Sequence, residues 1–153
     1  MDGRQVVAKE VALPLTVFAG GLIALQAPIN SMLGRSVGTF AAASVSFIVG
    51  TVVLILITLL VGGGFGDVGE ARHLSWYYLI GGVLGAVYVT TALVAVRSLG
   101  AGGVVGATIA GQLSLSLVID QLGILGVDER AITLQRVLGV LLLAVGTLLI
   151  IRE

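Results

Sequence analysis

The sequence is short of charge. Lysine, arginine, aspartate and glutamate together make up 10% of its 153 residues, against about a quarter in a soluble domain. Eight basic and eight acidic residues cancel, so there is no basic field to hold a nucleic acid. Cysteine is absent, which excludes disulfides, iron–sulfur clusters and thiolate metal sites. A single histidine, His73, stands beside Arg72 and leaves too few ligands for a histidine metal cluster. The glycine run 62–66 lacks the Gly-Lys-Ser/Thr ending of a phosphate-binding loop. No nucleophile is set beside a base. An enzyme, and any resident cofactor, has no residues here to stand on.

Apolar residues fill the space that charge leaves. They form 58% of the chain, and the mean hydropathy is +1.16. One bilayer crossing takes about 20 apolar residues, so this length holds about five crossings and no separate soluble domain. Residues 11–34, 36–66, 74–96 and 98–119 carry no charge at all. A fifth apolar run, 137–151, reaches spanning length when Arg136 is included near its end, with the long stem snorkelling to the interface. The expectation is one all-α transmembrane domain over 1–153, a five-helix bundle with spans near 11–33, 40–61, 75–96, 103–121 and 132–151. Helices are required because open strands cannot satisfy their backbone groups in lipid. Arg4 and Lys9 ahead of an apolar run resemble a signal peptide, but four further spans follow and the first is expected to stay.

The connections support this division. Gly34-Arg35-Ser36-Val37-Gly38 is expected as a compact turn, 62–67 as a flexible loop, Gly100-Ala101-Gly102-Gly103 as a link, and 123–130 as the last connection. Trp76-Tyr77-Tyr78 opens the third span where an interfacial aromatic belt belongs. Five crossings put the termini on opposite sides. One side then holds Arg4, Lys9, Arg72, Arg130 and Arg136, and the other Arg35, Arg97 and Arg152. Five against three is a weak orientation bias, compatible with insertion both ways.

Polar residues inside the spans are the informative minority. Gln26 and Asn30 are four apart and share a helix face, with Pro28 between them freeing the Ala24 carbonyl. They suit either a polar ligand site or amides that bridge helices. Thr108, Gln112, Ser116 and Asp120 recur every fourth residue along the fourth span. Asp120 near the helix end suits binding or proton coupling, or equally a pairing with Arg136 or lipid headgroups. Ser46 and Tyr88 are weaker candidates, since hydroxyls often satisfy themselves locally. The candidate substrate-binding set is therefore Gln26, Asn30, Ser46, Tyr88, Gln112, Ser116 and Asp120. Small residues four apart, in Gly81-Gly82-Val83-Leu84-Gly85 and in Gly102, Gly106, Ala110 with Gly103, Ala107, Gly111, indicate close helix packing or a dimer contact.

Taken together, Gln26…Asn30…Leu33-Gly34, Ser46-Phe47…Gly50, Gly81-Gly82…Gly85-Ala86…Tyr88-Val89, Leu99-Gly100-Ala101 and Gly111-Gln112…Ser116-Leu117…Asp120 resemble the YdcZ-type family. Arg136 and Gly139 match as well. Those are half-size members of the drug/metabolite transporter superfamily, to which export across the bacterial inner (plasma) membrane is ascribed. One departure is the absence of a proline just ahead of Leu99-Gly100, where Val96-Arg97-Ser98 stands instead. The resemblance implies a multi-pass transporter of a small-molecule substrate. The chain is also similar to small multidrug exporters, but residues 11–34 lack their central glutamate, so that proton-coupling mechanism does not carry over. Transporters are often two inverted repeats around a midplane site. A five-span unit of weak bias can supply both halves of a ten-helix transporter as an antiparallel homodimer in the bilayer, or pair with an oppositely oriented homologue. A small dual-topology ion channel and an accessory membrane subunit remain the alternatives.

Overall fold

The computed structural model describes residues 8–152; Arg4, placed above among the orienting charges, lies outside them. Four α-helices carry the chain: α1 (Lys9–Val37), α2 (Thr39–Leu60), α3 (Ile80–Leu122) and α4 (Leu134–Ile151). Two 3-10 helices, Gly66–His73 and Trp76–Leu79, stand between α2 and α3; the loop expected over 62–67 gives way to helix at Gly66, and the α-helix of the third span starts at Ile80 rather than near 75. No strand occurs among the described residues. All four α-helices are long and apolar enough to cross a membrane.

Two of the expected connections shrink to a single glycine each. The helix of Gly34-Arg35-Ser36-Val37 continues to Val37, and Gly38 alone breaks it, at φ 91° and ψ 156°. In place of a four-residue link, α3 runs for 43 residues with one non-helical residue, Gly100, at φ 68° and ψ 172°. Both glycines occupy a backbone region closed to residues with a Cβ. At the first break Gly38 still donates its N–H to the Gly34 carbonyl at 3.0 Å, so a one-residue turn leaves little backbone unpaired beyond the first N–H groups of the next helix. The absence of proline before Leu99 is consistent with that: helix persists to the glycine.

Two compact units make up the chain, one of Ala27–Arg97 and one drawn from Met1–Gln26 and Ser98–Glu153. The division cuts α1 two residues before Pro28 and α3 three residues before Gly100.

In the Ala27–Arg97 unit the buried face of α1 is Ala27, Asn30, Ser31 and Gly34, the three-and-four spacing of one helical stripe. It is small and partly polar. The large side chains of the same stretch, Ile29 and Met32, are exposed. This inside-out distribution follows from the solvent: lipid is as apolar as leucine, so helices associate by close backbone approach rather than by hiding leucine. Gly34 illustrates it, since a methyl group there would lie 3.1 Å from Leu93 Cδ2 and 3.6 Å from the Ala42 Cβ. Leu93 is fully buried, with Ala42, Ala43, Val89 and Ala92 also buried. Phe47 of α2 lies over Gly85 of α3, 3.3 Å from where a Cβ would stand.

In the other unit, the second part of α3 packs antiparallel to α4. Gly102 faces Ile150, Gly103 faces Ile151 and Gly106 faces Thr147. A methyl group on Gly106 would stand 2.7 Å from Thr147 Oγ1. The small-residue stripe of Gly102, Gly103 and Gly106 therefore finds its partner within the chain. Gly111, by contrast, has nothing within 4 Å of a would-be Cβ. Thr133 caps α4, its hydroxyl accepting from the Arg136 N–H at 3.4 Å.

Candidate functional site

Five hydroxyl groups in the described helices bond to their own helix. Thr16, Thr58, Ser114 and Thr147 each donate to the carbonyl four residues back, and Ser116 to that of Leu113, at 2.8–2.9 Å. Such bonds satisfy the hydroxyl donor within its own helix, at a slight cost to the helix. Ser116, one of the seven candidates, is thus already satisfied. The candidates that remain of interest are amides and a carboxylate.

Asn30 is the most enclosed of them, 6% exposed, and its Nδ2 has no hydrogen-bond partner among the described residues. A buried amide donor without an acceptor costs about 1–3 kcal/mol by mutational measure. Ser46 and Tyr88, in the same unit, are half-buried, and neither lines a described cavity with Asn30.

Gln26, Gln112, Ser116 and Asp120 belong to the other unit. Gln112 is exposed, while Ser116 and Asp120 are half-buried. The stripe winds because each step of four overshoots a 3.6-residue turn by roughly 40°, so three steps drift about 120°. Asp120 meets Arg136 in an ion pair, the one formed among the described residues. Its backbone carbonyl accepts from the Arg130 N–H at 2.8 Å, and the neighbouring Gln121 Oε1 accepts from Ile132 N–H at 2.6 Å. Asp120 and Gln121 therefore hold the return segment 123–133 against the end of α3. An apolar groove of about 500 Å³ runs along this unit between α3 and α4, lined by Ala24, Val105, Gly106, Leu142 and Thr147 among others. None of the seven candidates lines it.

A basic pocket was missed by the search for polar residues inside spans, because its arginines stand at helix ends. Pro28, Ser31, Met32 and Arg35 of α1 and Val96 and Arg97 of α3 enclose about 180 Å³. Arg97 Nε donates to the Ser31 hydroxyl at 3.2 Å. The available signal was a repeated tetrapeptide: Arg35-Ser36-Val37-Gly38 and Arg97-Ser98-Leu99-Gly100 each end on a glycine that breaks a helix.

The family described as "Putative inner membrane exporter, YdcZ" matches residues 11–149. The chain belongs to that family. The match covers every α-helix but the ends of α1 and α4. No curated relative and no solved structure matches. Membership of the YdcZ family makes this a multi-pass inner-membrane protein concerned with transport.

Proposed function

We propose that this YdcZ-family chain is half of a secondary exporter for a small organic solute, completed by a second copy in the opposite orientation. Gln112 carries the proposal. It lies midway along the stretch from Gly100 to Leu122 and is exposed in the single chain. An amide held in lipid lacks partners that a second protein surface supplies. A second copy would cover Gln112 and bring further polar groups to the midplane.

The helix lengths suit this arrangement. At 1.5 Å per residue, the 43 residues of α3 span roughly 65 Å, about twice the ~30 Å hydrocarbon core. Gly100 falls near the midpoint, so α3 serves as two crossings and the chain as five. Gln26 and Ser116, in the same unit as Gln112, are the supporting contacts of the proposed site, with Asp120 at its edge. Asn30 of the Ala27–Arg97 unit is a second buried amide, its Nδ2 without a partner among the described residues.

The test is ligand-dependent thermal stabilisation of the purified protein across a library of small organic solutes, followed by flux of each hit into liposomes. Gln112→Leu is expected to abolish both responses while expression and folding persist. Normal binding and saturable flux in Gln112→Leu would make Gln112 a packing residue and overturn the proposal. Flux that rises linearly with concentration would instead identify a channel, and no flux without an added protein an accessory subunit.

A further inference from the structure

The basic pocket of the Ala27–Arg97 unit holds two arginines and no acid. Arg35 and Arg97 both line it, with Ser31 between them in the lining. Ser31 is 5% exposed, and its hydroxyl is fixed by Arg97 Nε at 3.2 Å. Gly34 lets this happen: a methyl group there would come within 3.2 Å of Arg97 Nη2. A guanidinium carries five N–H donors and no acceptor. Arg97 uses its Nε, and Arg35 forms no side-chain bond among the described residues.

No acid of the same unit lines the pocket beside these charges. Every acidic residue of this unit lies in the segment between α2 and α3, at Asp67 and Glu70. That segment is separated from the pocket by the 22 residues of α2, roughly 33 Å and several times the ~8–10 Å screening length. Two like charges on one small cavity repel each other. Charge at a helix carbonyl end eases this only in part. An oxyanion between the two forks reverses the repulsion and accepts the unused donors in the geometry that guanidinium groups fit best. At about 180 Å³ the pocket is smaller than the roughly 300–1,000 Å³ of drug-sized sites, so it takes a small charged group rather than a whole organic solute.

We infer that Arg35, Arg97 and Ser31 form a binding site for a phosphate group, presented either by an anionic lipid headgroup or by a soluble phosphate. The two halves of the repeated tetrapeptide have a purpose in common: each sets one arginine three residues before a helix-breaking glycine, and both arginines line the same cavity. The inference is independent of the export proposal, because its readout is binding and not flux.

The experiment uses the full chain in phosphatidylcholine nanodiscs, with thermal stability as the signal. One arm titrates inorganic phosphate, and the other replaces part of the phosphatidylcholine by phosphatidylglycerol. Stabilisation by inorganic phosphate identifies a soluble ligand, and stabilisation by phosphatidylglycerol alone identifies a lipid headgroup. In either case Arg35→Gln is expected to weaken the apparent affinity about tenfold or more, the loss of a charge-assisted contact. Arg35 makes no recorded bond in the fold, so this variant should remain folded, as an unchanged melting temperature without additive will show. Arg152→Gln removes the same charge outside the pocket and is expected to keep the full response. No stabilisation in either arm, or an equal loss in Arg152→Gln and Arg35→Gln, overturns the inference.

Discussion

Asp120 and Arg136 form an ion pair across the connection from α3 to α4. Both side chains keep partial access to water, at 25% and 30% exposure. The Arg136 Nη1 also lies 3.4–3.5 Å from the carbonyls of Arg130 and Ala131. One arginine thus ties the last turn of α3 to the segment that leads into its own helix. This favours the pairing among the roles that the sequence leaves open for Asp120.

Asp120→Asn removes the charge and keeps the shape. A partly exposed pair contributes about 1 kcal/mol or less, so a small fall in thermal stability is expected. Transport should persist, since the pair serves the connection between α3 and α4. Loss of liposome flux in a folded Asp120→Asn would show instead that the carboxylate serves the solute.

Gly106→Ala is expected to be far more damaging than its size suggests. The new methyl group would meet Thr147 Oγ1 at 2.7 Å and Cγ2 at 2.9 Å, and overpacking of this kind costs about 1–3 kcal/mol. Thr147→Ala deletes both of those atoms. The double variant should therefore recover part of the loss, with the coupling read from a double-mutant cycle in detergent. Additive losses would mean that α3 and α4 are not in contact at this point.

The helices themselves were legible in the sequence because an uncharged apolar run is a local property. Their partners were not. Gly102 and Gly106 announce close packing, but nothing in their spacing says whether Thr147 and Ile150 of the same chain or a second copy lies opposite. The breaks at Gly38 and Gly100 were located but drawn too long, since glycine-rich stretches such as Gly100-Ala101-Gly102-Gly103 can be helical wherever a neighbouring helix needs room. Gln112 and Asn30 stood out as amides within spans. That one is exposed and the other buried depends on which helices surround them, and spacing along one helix does not reveal that.

Gly38→Ala and Gly100→Ala should each destabilise the protein by about 1–3 kcal/mol, because both glycines sit at dihedral angles that a Cβ excludes. Neither has an atom within 4 Å of a would-be Cβ, so the effect isolates backbone strain from crowding. Gly139→Ala, in α4 with equally open surroundings, is the control and should be neutral or slightly stabilising. Thermal melts of the three variants in one detergent will separate the two causes. A neutral Gly100→Ala would mean that α3 passes residue 100 as a continuous helix, leaving four crossings instead of five.

Orientation in the membrane is the most consequential expectation. With α3 counted as two crossings, the chain ends on opposite sides, and its lysines and arginines divide five against three. A difference of two is a weak orientation bias, and the expectation is that copies insert both ways. Dual insertion would deliver both halves of an inverted pair from one sequence, and would place the exposed Gln112 of each copy where the other can cover it. The chain has no cysteine, so a cysteine placed after Arg152 is a unique label for that end. An impermeant thiol reagent applied to intact cells should modify only part of the population. Two lysines introduced beside Arg152 erase the charge difference and should shift the labelled fraction. If labelling is all-or-none and stays so with the added lysines, one orientation is fixed. The partner that covers Gln112 must then be a parallel copy or a different, oppositely inserted protein.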